Sequence, residues 1–225
     1  MARHKVTVQR ASEDELTDLA SWYHLTGPGM PNEPDEDLNE RHVKAFRSGV
    51  LGSALELPMA ATCNRLFDSG LDMTARFLAR TLVSSVRLDG QTIGMLVMAP
   101  PQSLYEKAIR EVAGASQKVI DQVLLGTLVM LSKLQIVSIS AEHRGRGLGS
   151  RLVRQAVDVA SKSMVGQVYG QFRTLEGLAP FYTKLGFDVV SDDTLPIAAG
   201  YQLDLYRKPD ETFFSRILQL NVRTG

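Results

Sequence analysis

The sequence predicts an α/β chain of the α+β kind. Short β-branched runs alternate with helical patterns. An Asp89-Gly90 pair joins two such runs as a hairpin. A strand at 134–139 feeds directly into an amphipathic helix at 147–162. Composition agrees: 44% of the 225 residues are hydrophobic and 22% are charged, as in an ordinary globular chain rather than a disordered, collagenous or membrane-spanning one. The length suffices for one real core, and the chain reads as one domain over 1–225.

Residues 5–9 alternate and form the first expected strand. Ser12 with Glu15 three residues later is a capping box, and Leu16, Leu19 and Ala20 give the next helix its apolar stripe. Gly27, Pro28, Gly29 and the stretch from Pro31 to Pro34 end it in a loop. The acidic residues Glu33, Asp35, Glu36, Asp37 and Glu40 lead into a helix near 38–46, where acids suit the positive helix start. The other reading of that run is a site attracting a cationic substrate. Residues 51–79 read as mostly helical, broken at Pro58 and Gly70. Strands follow at 81–88 and 91–98, ended by Pro100-Pro101, then two helices over 102–131 about Gly114. After the strand at 134–139 and the helix at 147–162 come a strand at 167–172 and a short helix at 177–184. Two strands, 187–190 and 201–206, and a final helix over 210–220 complete the expectation.

Charge and cysteine content exclude several function classes. Lys+Arg and Asp+Glu both number 25, which disfavours a uniformly basic nucleic-acid binder. Cys63 is alone and cannot form an internal disulfide. The first residues lack the apolar core of a signal peptide, so a cytoplasmic protein is expected. The most apolar tract, 119–139, is interrupted by Asp121, Gln122, Lys133 and Gln135, which argues against a membrane span. His4, His24, His42 and His143 show no metal-ligand spacing, so no metal is expected.

The informative stretch is 136–153, where a buried strand enters a glycine- and arginine-rich turn that opens into a helix. First-turn amides of a helix have no partners within it and lie at the positive end of the dipole, where a phosphate or pyrophosphate is a natural ligand. Gly145, Gly147 and Gly149 let an anion approach the backbone, and Arg144 and Arg146 add positive charge. A P-loop run is absent, and the dinucleotide fingerprint fails because its last glycine would fall on Ser150 or Leu152. Arg-x-x-Gly-x-Gly remains, met by Arg144, Gly147 and Gly149.

That pattern resembles the pyrophosphate loop of the GNAT superfamily of N-acyltransferases. Residues 179–187, Ala-Pro-Phe-Tyr-Thr-Lys-Leu-Gly-Phe, are similar to the later motif of the same family, a helix carrying Phe-Tyr-x-Lys-x-Gly-Phe. The resemblance is specific over 134–190, looser over 5–25 and 81–98, and absent elsewhere. It implies a GNAT-like αβα layered domain whose central mixed, mostly antiparallel sheet splays at the CoA site, with helical insertions at about 26–79 and 102–131. It implies acetyl-CoA (coenzyme A) held between splayed strands, here 134–140 and 167–172. Backbone near Ile139 and Ser140 would bond the pantetheine arm. The amides of Arg144, Gly145, Arg146, Gly147, Leu148, Gly149 and Ser150 would hold the pyrophosphate. Tyr182 stands at the position of the usual general acid, which protonates the leaving thiolate. The expected activity is acetyl transfer from acetyl-CoA to a primary amine of a small-molecule or peptide acceptor, directly within a ternary complex.

The sequence departs from the family in two ways. Many members carry a glutamate on the strand before the loop, and 134–140 has no acid, so the base stays open among Glu56, Glu176 and a water chain, or a substrate amine of low pKa would dispense with one. A catalytically inactive acyl-CoA sensor is therefore the alternative, and an arginine-glycine nucleic-acid contact is a third. The insertions would shape an acceptor groove or an oligomer interface, a homodimer being one form of the latter. Trp22 and Tyr23 either line the acceptor site or pack at a helix end.

Overall fold

In the computed structural model, which describes residues 5–26, 34–68, 70–190, 194–196, 202–204 and 210–218, a seven-stranded sheet carries the molecule. Its strands are β1 (Val6–Arg10), β2 (Leu82–Leu88), β3 (Gln91–Ala99), β4 (Leu131–Ile139), β5 (Gln167–Arg173), β6 (Asp188–Val190) and β9 (Glu211–Ile217), in the order β1-β2-β3-β4-β5-β9-β6. Every neighbouring pair is antiparallel except β4 and β5. β7 (Thr194–Pro196) and β8 (Gln202–Asp204) form a separate two-stranded hairpin.

Helices cover both faces. On one lies α8 (Leu148–Lys162), which buries Leu148, Leu152, Val153, Ala156, Val159 and Ala160 against Val86, Leu96, Leu134 and Val168. Burying Leu152 or Val153 contributes about 2 kcal/mol each. α9 (Ala179–Thr183) packs into the same cluster through Tyr182. On the other face α1 (Glu13–Leu16), α2 (Leu19–His24) and α3 (Asp35–Arg47) bury Leu16, Leu19, Tyr23 and Leu38 on Val83, Met95, Val97 and Ile136. The Ser12 box closes as expected: the Glu15 carboxylate accepts from the Ser12 amide at 2.7 Å. The single helix expected after it is two helices, because the chain turns at Thr17 and Asp18.

The stretch 51–79 is less helical than its pattern implies. Turns fill 51–56, and α4 (Met59–Cys63), a π-helical turn over Asn64–Asp68 and α5 (Met73–Ala79) follow. α6 (Gln102–Glu111), α7 (Gln117–Leu124) and a second π-helical turn, Leu125–Val129, occupy the other helical stretch. The two stretches pack on each other: Ala54, Leu66, Ala79, Tyr105, Leu128 and Val129 share one cluster, apart from the two that flank the sheet. Among the described residues no helix is long and apolar enough to cross a membrane.

One expected element is overturned. Of the helix expected over 210–220, the described residues 210–218 form none, for β9 inserts between β5 and β6. Phe213, Phe214, Ile217 and Leu218 have helical spacing, but Phe214 is wanted in the α8 core and Phe213 against Tyr169 on the opposite face. Only a strand sends successive side chains to opposite faces. The loop expected at 27–29 and 31–33, Glu33, and the ends of the 201–206 strand lie outside the described residues.

Candidate active site

The site begins with a defect in the sheet. Ile136 faces Val97 and Leu134 faces Met98, so Gln135 has no counterpart on β3. This is a β-bulge, which bends a strand and increases its twist. The parallel pairing of β4 with β5 stops at the same level, at Leu134 opposite Gly170. Beyond it β5 pairs only with β9, and the two strands diverge. Between them opens a groove of about 950 Å³.

Its β4 wall has a definite polarity. Ser140 donates its amide to Ile93 on the β3 side at 2.9 Å. By the alternation of an antiparallel ladder, the main-chain groups of Ile139 and Val137 face the groove. The Ile139 carbonyl already accepts from Arg144 Nε at 3.0 Å, so Arg144 folds back over the strand end.

At the mouth stands the glycine-rich turn. A short 3-10 turn at Ala141–His143 ties the Arg144 amide to the Ala141 carbonyl. From Gly145 to Ser150 no main-chain amide has an acceptor among the described residues, and no side chain caps α8. Gly145 and Gly147 have φ of 74° and 73°, a conformation nearly closed to other residues. Gly149 differs: a Cβ there would rest at 3.5 Å from the Phe181 ring, an ordinary contact. Six free amides at a helix start, with Arg144 and Arg146 beside them, make a cradle for a diphosphate.

Tyr182 is fixed by aromatic packing. Its ring stacks on Phe214 at 3.6 Å between centroids and on Phe172 at 5.7 Å, with Phe181 and Phe187 edge-on. Phe214 reaches this place because Gly170 has no Cβ; one would lie 2.4 Å from the Phe214 ring. Tyr182 lines the groove, and its hydroxyl has no partner among the described residues. Burial, with the Glu176 carboxylate second, pushes its pKa well above that of an ordinary phenol, so it stays protonated.

Of the residues singled out by sequence, Ile139, Arg144, Gly145, Gly147, Leu148, Gly149, Ser150 and Tyr182 line this groove; Ser140 and Arg146 do not. His143 lines it with Nδ1 3.0 Å from Ser140 Oγ. Glu176 is on the wall, whereas Glu56 lies elsewhere and pairs with Arg10 at 2.8 Å. Asp35, Glu36, Asp37 and Glu40 do not line the groove, and Asp35 pairs with His24 at 2.6 Å. Sequence reasoning missed Gln135, Gln171, Arg173 and Glu211, which also line the groove. No local pattern marks them, because they meet only through the bulge and the insertion of β9. Trp22 packs against the sheet-flanking cluster, while the Tyr23 hydroxyl donates to Gln135 Oε1 at 2.5 Å.

Comparison with known proteins agrees with this geometry. Residues 79–189 match the family model described as an acetyltransferase (GNAT) domain. Over those residues the chain is similar to GNAT acetyltransferase domains, and its fold is the one they share. Its fold resembles an N-acetyltransferase from Staphylococcus aureus at TM-score 0.55 and 10% identity, covering 96% of this chain and 99% of that one. It also resembles an acetyltransferase from Salmonella typhimurium, solved with acetyl-CoA, at 0.54 and 14%, covering 96% and 95%. A GNAT-family acetyltransferase from Streptococcus pneumoniae matches at 0.52 and 11%, covering 96% and 100%. No curated protein matches the chain in sequence.

Proposed function

We propose that this protein is an N-acetyltransferase that takes its acetyl group from acetyl-CoA and passes it to a primary amine in a ternary complex. One observation carries the reading: the free amides of 145–150 open onto the cleft between diverging β4 and β5, and Tyr182 stands on the wall of that cleft. The residues fit acetyl-CoA. The α8 start suits its diphosphate, and the exposed edge of Val137 and Ile139 suits the amides of its pantetheine arm, in the manner of an added strand. Bound there, acetyl-CoA supplies a thioester whose carbonyl is open to attack by a neutral amine.

The chain's own groups do the rest. The cradle and the β4 edge hold the donor in line with the incoming nitrogen, which removes much of the entropic cost of a bimolecular reaction. Tyr182, held protonated, donates a hydrogen bond to sulfur as negative charge gathers there. Thiols titrate near 8.5, well below this phenol. Tyr182 therefore stabilises the departing thiolate chiefly by hydrogen bonding rather than by complete proton transfer. The amine's proton leaves towards the carboxylates on the groove wall, Glu176 and Glu211.

The test is Tyr182→Phe. We expect kcat to fall by about 100-fold, with CoA affinity by calorimetry and the melting temperature both held, since the hydroxyl has no partner among the described residues. An unchanged kcat would remove Tyr182 from the chemistry. Wild-type protein that binds CoA tightly but acetylates nothing in a broad amine panel would make it a sensor instead.

A further inference from the structure

We propose that Gln135 reads an oxygen next to the reacting amine, so that the acceptor is an α-amino carbonyl compound: an amino acid, its amide or a peptide N-terminus. This rests on the acetyltransfer reading above. Four observations lead to it.

Gln135 is the bulged residue at the level where β4 and β5 part, so it sits at the inner end of the cleft. From Ile139 back to Gln135 the strand runs four residues, or about 13 Å, comparable to an extended pantetheine arm laid from the cradle. The thioester would thus arrive beside Gln135. Next, the Tyr23 hydroxyl occupies Gln135 Oε1 at 2.5 Å, and Tyr23 is 1% exposed in the core beneath α2. The carbonyl end of the amide is therefore tied down, and the NH₂ end is the one left over. Its two hydrogens have no acceptor among the described residues, and Gln135 lines the groove, so they are open to a ligand there. Finally, beside the Glu211 carboxylate, which has a partner of its own, the groove is lined by Gln171 and the exposed Arg173 guanidinium, donors that bond no side chain among the described residues. A carbonyl or carboxylate oxygen beside the amine answers them, while the amine itself faces the thioester.

The decisive variant is Gln135→Glu. It keeps an oxygen for Tyr23 and nearly the same shape, and replaces the NH₂ donors by an acceptor. Tyr23→Phe is the second variant; it keeps the core ring and frees the amide to turn. The probes are leucinamide, leucine and 3-methylbutylamine, which lacks the carbonyl. Because each probe's own amine pKa is common to all enzyme forms, the variant-to-wild-type ratio isolates the recognition. We expect kcat/KM for leucinamide to fall about tenfold or more in both variants, while the ratio for 3-methylbutylamine stays level or rises. Leucine against leucinamide then shows whether the free carboxylate or the amide carbonyl is preferred. Equal losses on all three probes, or no loss on leucinamide, would overturn the proposal. Wild-type protein that fails to bind CoA by calorimetry would instead overturn the acetyltransfer reading beneath it.

Discussion

The helical stretches and the groove treat polar groups in opposite ways. Where the helical stretches meet, Arg80 is 1% exposed, yet its guanidinium donates to the carbonyls of Ala54 at 2.8 Å, Leu128 at 3.3 Å, and Val129 and Ser163 at 3.0 Å each. Burial pulls its pKa down to about 10. Those four carbonyls belong to the turn after Leu51, the end of the second π-helical turn and the end of α8, so one side chain ties both stretches to the main core. In the groove the amides of 145–150, the Gln135 NH₂ group and the Tyr182 hydroxyl have no partner among the described residues. The first region satisfies its polar groups internally and contributes stability. The second leaves them open to solvent and to a ligand.

This contrast breaks down if stability and ligand affinity do not separate by region. The largest effect is expected from Arg80→Leu, which strands four buried carbonyls. A loss of about 3–5 kcal/mol, or about 10 °C in melting temperature for a chain of this size, would be read by calorimetric melting. CoA affinity of the folded protein at low temperature should change little.

Next is His42 on α3, which is 3% exposed with Nδ1 2.7 Å from the Leu38 carbonyl. Burial lowers its pKa from 6.5 to about 4, the Leu38 hydrogen bond opposing and the Arg41 charge assisting. The unfolded chain therefore binds a proton that the folded one refuses. Stability is full above pH 6.5 and declines as pH falls to 4, by up to about 3 kcal/mol. His42→Gln should flatten melting temperature across that window. Below pH 4.5 the separate loss at Glu15 takes over: burial raises its pKa, but hydrogen bonds from Arg87, Thr92 and Ser12 outweigh that and hold it at about 2.

The smallest effects on the fold come from the cradle. Gly147→Ala puts a side chain at φ 73° and should cost about 1–2 kcal/mol. Gly149→Ala, in an ordinary helical conformation, should leave stability level or raise it by up to about 1 kcal/mol. Both should weaken CoA binding, by about tenfold or more in calorimetry. A Gly149→Ala protein that binds CoA normally would show that the ligand keeps its distance from that backbone.

The cradle was legible in the sequence because it is local. Gly145, Gly147 and the start of α8 are neighbours in the chain, and their chemistry follows from φ and from helix-end amides alone. Tyr182 was legible through the motif around it, but its stacking on Phe214 was not, since that needs β9 and the missing Cβ of Gly170. Residues 210–220 read as a helix because their apolar spacing suits one, and pairing with β5 and β6 prevailed. The acidic run of α3, which admitted a substrate site, turns out to serve a helix start away from the groove.

By itself, then, the order of residues determined the strand-turn-helix unit, its open helix-start amides and the lack of an acid on β4, all short-range consequences of backbone geometry. Tertiary structure decided which side chains line the cleft. Gln135, Gln171, Arg173 and Glu211 come from three separate strands, with Tyr23 of α2 behind Gln135, and a bulge with an inserted strand brings them together. Long-range pairing of that kind is chosen by the whole core's burial, which no local pattern records.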